Sequence, residues 1–167
     1  MEASKASTGN IPVSLAPTDL NVLLSQVCGE YQQRLEKQVL EPVLSLCEPG
    51  AAAMADGRLL WRVLDNLMSN ICKYAMPGTR VYLTTEREGD TARMVVRNIS
   101  RYPLNISADE LTERFVRGDS SRSTEGSGLG LSIATSLMSL QGGGFRLTID
   151  GDLFKVTLTL PAAGAEE

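Results

Sequence analysis

The stretch Asp65-Asn66-Leu67-Met68-Ser69-Asn70-Ile71-Cys72-Lys73-Tyr74 carries two patterns at once. Asn66, Asn70 and Lys73 follow one another at i, i+4 and i+7, which places them together on one face of a helix. Asparagine is a poor helix former because its amide competes with the backbone, so two of them one turn apart suggest a function. Apolar residues recur at helical spacing on another face and predict an amphipathic helix: Leu60, Val63, Leu64, Leu67 and Ile71.

The polar face of this helix suits a metal bound to phosphate, although a solvated helix face would show the same pattern. The carboxamide oxygens of Asn66 and Asn70 are hard, neutral ligands of the kind that Mg²⁺ accepts. Lys73, about one turn further on, could meet a phosphate as a point charge. Tyr74 could stack on a base, although a place in the core or at its rim is the commoner role of a tyrosine.

A second motif, Gly126-Ser127-Gly128-Leu129-Gly130-Leu131, precedes an apolar helical run. Glycine lets the backbone approach a ligand closely, and successive amides at a helix N-terminus bind anions. A hinge or a tight turn would use the same residues. No Lys-Ser or Lys-Thr closes the motif, so it is not a P-loop, and it comes too late in the chain for a dinucleotide fold. Arginines in the preceding loop could fold over a triphosphate as part of a lid: Arg114, Arg117 and Arg122.

The bulk properties fit one domain and exclude several kinds of chemistry. The chain has 167 residues and no histidine, which excludes Ser-His-Asp catalysis, Cys-His catalysis and histidine metal sites. A net charge of −4 argues against a broad nucleic-acid surface. Cys28, Cys47 and Cys72 form no CxxC pair, so we expect reduced thiols in a cytosolic setting. No apolar run could span a bilayer, and residues 1–7 read as the tail of a helix entered midway, as in an excised fragment.

Helices and strands are mixed along the chain, and hairpins come late. We therefore predict an α+β fold, a two-layer sandwich in which a mixed, mostly antiparallel sheet is covered on one face by three helices. Residues 1–12 should be a helix end and linker, 13–161 the domain, and 162–167 a frayed tail. The predicted elements are a strand at Val13-Ser14-Leu15, a helix from Asp19 through Leu35, an edge strand at 39–46 that contains Pro42, a helix from Asp56 to Met76, a hairpin of 81–85 and 92–96, a lid loop at 100–125, a helix at 129–140 closed by Gln141-Gly142-Gly143-Gly144, and a hairpin of 145–149 and 154–160.

The motifs and their order resemble the catalytic ATP-binding domain of sensor histidine kinases, within the wider GHKL or Bergerat-fold ATPases. The likeness covers roughly residues 13–160. Asn66 to Tyr74 resembles the N box of that family, and Glu113-Arg114-Phe115-Val116-Arg117 its phenylalanine box. Gly126 to Leu131 resembles its second glycine box, and Gln141-Gly142-Gly143 the glycine turn after the next helix. Residues 1–9 resemble the end of the dimerisation helix that carries the phosphoacceptor histidine upstream.

The resemblance implies ATP and Mg²⁺ as cofactors. It implies that Asn70 ligates the metal with Asn66 close by, and that Tyr74 lines the adenine pocket. The amides from Gly126 to Leu131 would hold the polyphosphate beneath a lid. The remaining residues assigned to phosphates, adenine or lid by this resemblance are Lys73, Asn98, Ser100, Phe115, Arg117 and Arg122.

The first glycine box departs from the pattern Asp-x-Gly-x-Gly. Asn98 occupies the aspartate position, while Ser100 and Tyr102 replace the glycines. An asparagine Oδ1 can still accept a hydrogen bond from the adenine amino group, without the charge-assisted component. Because both glycines are replaced, the sequence alone does not determine the conformation of this turn or the ATP affinity that depends on it.

Several functions follow from the same motifs. The first is a kinase domain that phosphorylates a histidine on a separate dimerisation domain for relay to a response regulator. The others are a nucleotide-binding pseudokinase, a stand-alone GHKL hydrolase and an anti-sigma serine kinase. Hydrolases of this superfamily carry a glutamate base where this chain has Asn66, whose amide cannot take a proton from water. We expect a monomeric fragment of a homodimeric, membrane-anchored sensor, with this domain in the cytoplasm and no nucleic-acid partner.

Overall fold

The computed structural model describes residues 12–48, 50–101 and 127–163, with the backbone alone at 127–130. No helix among these residues is both long and apolar enough to cross a membrane. The described residues form seven strands and four helices, in chain order: β1 (Ala16–Asp19), α1 (Leu20–Glu30), α2 (Gln32–Lys37), β2 (Glu41–Ser45), β3 (Ala52–Ala55), α3 (Gly57–Tyr74), β4 (Arg80–Glu88), β5 (Thr91–Ile99), α4 (Ser127–Leu140), β6 (Gly144–Asp150) and β7 (Leu153–Pro161).

The main sheet has five strands in the order β2-β4-β5-β7-β6. β2 runs parallel to β4, and the other neighbours are antiparallel, so the predicted mixed and mostly antiparallel sheet is confirmed. β2 lies at an edge of the sheet, as Pro42 predicted, because proline has no amide hydrogen to donate to a neighbouring strand. Every second residue of β5, namely Ala92, Met94 and Val96, belongs to the same buried core as the apolar faces of the helices.

A second, two-stranded sheet was missed from the sequence. β1 pairs antiparallel with β3, so the strand predicted at 13–15 lies instead at Ala16–Asp19. β3 consists of alanines and one methionine, and alanine is depleted in strands, so no propensity signal marked it. The chain beyond 161 also packs here: Ala162 bridges to Ala53, and the Ala163 amide donates to the Ala52 carbonyl at 2.9 Å. The frayed tail predicted from residue 162 is therefore wrong for these two alanines.

The predicted helix from Asp19 to Leu35 is two helices, which makes four rather than three in the described chain. The break falls at Tyr31, which has φ −98° and ψ 5° and ends α1. α2 ends in a turn that puts Val39 at φ 58°, with the Leu40 amide donating to the Leu35 carbonyl at 2.8 Å. Because of this turn, the strand predicted at 39–46 begins only at Glu41. The turn also holds Val39, a β-branched residue, in the left-handed region that glycine usually occupies.

Gly143 sits where α4 returns to the sheet and approaches β7 closely. A Cβ atom at this position would lie 2.5 Å from the Thr159 carbonyl oxygen and 2.8 Å from Leu160 Cδ2. The neighbouring Gly144 has its nearest such contact at 4.0 Å. In the glycine turn predicted after the third helix, close contact with the backbone therefore requires glycine at position 143 but not at position 144.

We predict that Gly143→Ala lowers the free energy of unfolding by roughly 2 kcal/mol or more, because the new methyl group meets backbone that cannot move freely. Gly144→Ala is the matched control and should change stability by less than about 1 kcal/mol. Urea denaturation followed by circular dichroism measures both. Equal losses in the two variants would contradict the close approach at Gly143.

Candidate functional site

Asp56 caps the N-terminus of α3, is 2% exposed, and joins separate segments of the chain. Its carboxylate accepts from the backbone amides of Arg58 at 3.0 Å and Leu59 at 3.4 Å, as an N-cap does. It also accepts from the Ser14 amide at 2.9 Å, which fixes the segment before β1. The Asp56 amide donates to Gln141 Oε1 at 2.9 Å, so the end of α4 is held at the start of α3.

The surroundings of Asp56 lower its pKa. Burial alone would raise the pKa of the carboxyl group, but hydrogen bonds from Ser14, Arg58 and Leu59 outweigh burial and stabilise the charged form. A carboxyl whose pKa is depressed on folding contributes stability above its unfolded pKa of about 3.9. That contribution is lost as the pH falls through the lower folded pKa.

We predict that Asp56→Ala lowers the free energy of unfolding at pH 7 by about 1–3 kcal/mol, because the cap and the buried amides lose their acceptor. Asp56→Asn keeps a capping oxygen and should cost less at pH 7, yet it should flatten the fall of stability between about pH 5 and pH 2. Asp90→Asn, on the exposed turn of the β4–β5 hairpin, is the control. Denaturant titrations across this pH range provide the test, and an unchanged acid limb in Asp56→Asn would contradict it.

α3 confirms the predicted amphipathic helix. Its apolar stripe is buried, whereas Asn66, Asn70 and Tyr74 are half-buried and Lys73 is exposed. Asn66 and Asn70 lie on one side of the helix, one turn apart, as their spacing predicted. Their role as metal and phosphate ligands stays a prediction.

α4 brings the second glycine motif to the same end of α3. The two helices pack together, and Gln141 at the end of α4 contacts Asp56 at the start of α3, so they run antiparallel. Fourteen residues separate Gln141 from Ser127 and also separate Asp56 from Asn70, a rise of roughly 21 Å along each axis. The start of α4 therefore lies about level with Asn70.

The helix that follows Gly126 starts two residues earlier than predicted and includes most of the glycine motif. α4 starts at Ser127 rather than at residue 129, so Ser127, Gly128, Leu129 and Gly130 form its first turn. The first amides of a helix have no intrahelical partner and remain available to an anion. Leu131 is 2% exposed and its side chain belongs to the core. The other predicted nucleotide residues of this region lie outside the described residues: Phe115, Arg117, Arg122 and Gly126.

The end of β5 meets the end of α3. Asn98 and Ser100 are 5% and 7% exposed and follow the inward alternation of Met94 and Val96. Backbone hydrogen bonds join the two ends: the Met76 amide donates to Ile99 at 2.7 Å, and the Arg101 amide donates to Tyr74 at 2.8 Å. The first glycine box therefore has a defined path as far as Arg101 even though Ser100 replaces a glycine.

A cavity of about 650 Å³ opens beside Lys73 and Tyr74. Sequence reasoning missed most of its lining, because α2 lies far from α3 along the chain and no motif links them. Within the described part of the chain the lining residues are Arg34, Lys37, Gln38, Cys72, Lys73, Tyr74 and Arg101.

Comparison with known proteins establishes the class. Solved structures share the fold: the catalytic domain of histidine kinase ThkA has a TM-score of 0.77 at 21% identity and covers 89% of this chain and 95% of its own. Full-length ShkA, solved in complex with AMPPNP, has a TM-score of 0.79 at 26% identity over 97% of this chain and 34% of its own. The predicted two-layer fold is confirmed, with four helices instead of three.

Residues 55–164 match the family described as histidine kinase-, DNA gyrase B- and HSP90-like ATPase, and the chain belongs to this family. Sensor protein CzcS of Cupriavidus metallidurans is 28% identical over 98% of this chain and 34% of its own length. Sensor protein VanSC of Enterococcus gallinarum is 30% identical over 96% of this chain and 45% of its own. The chain thus spans between a third and a half of these two relatives. It is an ATP-binding domain of the sensor histidine kinase type, as the resemblance predicted.

We predict that Asn98→Ala weakens ATP binding by about 1–3 kcal/mol, because a buried acceptor at the end of β5 is lost. Asn98→Asp should retain or improve the affinity, since a carboxylate accepts a stronger hydrogen bond. Calorimetric titration with ATP measures both, and thermal unfolding controls for misfolding. An alanine variant that is folded and binds ATP like the parent chain would contradict the adenine assignment.

Proposed function

We propose that this domain binds Mg-ATP and transfers the γ-phosphoryl group to a histidine on a separate dimerisation domain, from which it passes to a response regulator. One arrangement supports the proposal: Asn70 and the start of α4 lie about level along two packed helices, and the end of β5 is hydrogen-bonded to the end of α3. The chain contains no histidine, so the acceptor lies outside it. The sensor relatives named above support a kinase rather than another ATPase.

Mg²⁺ fits the residues at this end of α3. The described residues contain no cluster of three His, Cys, Asp or Glu side chains that could hold a metal. A cation here would rest on the Asn70 carboxamide and on phosphate oxygens, which is how Mg²⁺ is often held. When bound, the ion would neutralise charge on the phosphates.

The chain's own residues supply positioning and charge. Asn98 would accept from the adenine amino group, and the first-turn amides of α4 would bind the polyphosphate. Lys73 adds a positive charge beside Asn70, and Arg117 is proposed to reach the phosphates as well. Phosphoryl transfer needs little more than alignment and charge stabilisation, and Asn66 offers no base that would activate water instead.

A pseudokinase is the second candidate, favoured by the replacements at Asn98, Ser100 and Tyr102. Against it, Asn98 is buried and inward-facing, and the backbone beyond it is tied to α3. In either case we propose that the domain belongs to a homodimeric, membrane-anchored sensor, that it faces the cytoplasm, and that it is monomeric when isolated.

We predict that this chain alone does not label itself with ATP but labels a histidine supplied in trans. Incubation with γ-labelled ATP and a separate helical acceptor domain should give acid-labile label on the added domain only. Transfer should be slow, because the missing covalent link lowers the effective concentration of the acceptor. Asn70→Ala should abolish it.

An acceptor domain with its histidine replaced by alanine is the matched control and should stay unlabelled. Acid-stable label on this chain would point to a serine or threonine kinase. Tight ATP binding without transfer at any acceptor concentration would favour the pseudokinase.

A further inference from the structure

The cavity between α2 and the end of α3 has a different orientation from the predicted metal–phosphate face. At about 100° per residue, Cys72 points roughly 160° away from Asn70 and roughly 120° away from Asn66. Lys73 lies only about 60° from Asn70 and also lines the cavity. Tyr74 lies about 40° from Asn70 and lines the cavity as well. The cavity is therefore next to the predicted nucleotide site and shares Lys73 and Tyr74 with it.

The cavity concentrates positive charge on a chain whose net charge is −4. Arg34, Lys37, Lys73 and Arg101 line it, and no Asp or Glu is among its described lining residues. Burial raises the pKa of the Cys72 thiol, although the nearby Arg34 charge opposes this, so the thiol is neutral at pH 7 and cancels none of the positive charge. Four like charges around one opening favour a multiply charged anion.

Contacts within the chain define the surroundings of two of these cations. The Arg34 guanidinium stacks 4.7 Å from the centroid of the Tyr31 ring, and the Tyr31 hydroxyl donates to Asp65 Oδ1 at 2.5 Å. The Arg101 backbone amide donates a hydrogen bond to the Tyr74 carbonyl, and the Nε of the Arg101 side chain is buried without a hydrogen-bond partner among the described residues. A buried donor of this kind usually has a partner, which a bound anion would provide.

We propose that this cavity is a second anion site, adjoining the nucleotide site, and that it binds a phosphate-bearing ligand with two or more negative charges. Linked phosphates carry several negative charges and accept several charge-assisted hydrogen bonds, which suits a cavity lined by Arg34, Lys37 and Arg101. The volume lies within the range of small-molecule sites. The inference goes beyond the proposed function, on which it depends only for the identity of the neighbouring site.

The phosphate groups could come from two sources. They could belong to a nucleotide at the neighbouring site whose phosphates reach across Lys73. They could also belong to a separate molecule bound at the same time as ATP. In both cases Arg34 and Lys37 contact phosphate, so the same variants test the site.

The experiment uses the full chain and inorganic pyrophosphate as the probe, titrated by calorimetry without Mg²⁺ and again with saturating Mg-ATP. The double variant Arg34→Gln/Lys37→Gln should bind pyrophosphate at least about tenfold more weakly than the parent chain. The control Arg87→Gln/Arg146→Gln removes the same charge from exposed positions outside the cavity lining and should change the affinity less than about threefold.

Pyrophosphate that binds together with ATP would identify a separate ligand. Competition, with weaker ATP binding by Arg34→Gln/Lys37→Gln, would identify the nucleotide's own phosphates. The proposal is overturned if the parent chain shows no saturable pyrophosphate binding, or if the double variant and its control bind alike. Asn70→Ala separates the two hypotheses, because it should weaken Mg-ATP binding and leave Mg-free pyrophosphate binding intact.

Discussion

The buried carboxylate of Asp56 is the contact on which the arrangement of the site depends. The carboxylate fixes where α3 starts. The backbone amide of the same residue donates to Gln141 Oε1 and so holds the end of α4. Because both helices are rigid and antiparallel, this single corner sets which residue of α3 faces the start of α4 about 20 Å away. A shift of one residue at the cap would rotate Asn70 by about 100° and remove it from the site.

The far end of α3 is fixed by backbone rather than by side chains. Ala75 bridges to Ser100, and hydrogen bonds from Met76 and Arg101 tie the end of β5 to the end of α3. Backbone bonds of this kind do not depend on glycine, which explains how the turn tolerates Ser100. α3 is therefore held at both ends, by a capping carboxylate and by a strand, and the predicted nucleotide residues lie at the end held by the strand.

Local patterns predicted most of the fold and the helix face that carries Asn66 and Asn70. The periodicity of Leu60 to Ile71, the cap at Asp56 and the turn at Gly89-Asp90 each act within a few residues, so the sequence alone reveals them. β1 and β3 pair with each other although they are far apart along the chain, and neither has a propensity signal, so their sheet was missed. The break at Tyr31 falls within a continuous helical pattern of apolar residues, so no local signal divides the helix there. Arg34 and Lys37 reach Lys73 only through tertiary packing, which no spacing rule describes.

The polar residues of the site share a chemical character that bears on which reaction is possible. Asn66 and Asn98 are both neutral amides where the resembling proteins use carboxylates, a glutamate base in the hydrolases and an aspartate in the first glycine box. Each amide keeps a hydrogen-bonding oxygen but removes a negative charge from the proposed nucleotide site. Together with Lys73 and the amides of α4, this would give the proposed site an affinity for anions, with no base at Asn66 to deprotonate water. Such a site is suited to holding a phosphoryl donor until an external nucleophile arrives, and that property matches a chain without a histidine of its own.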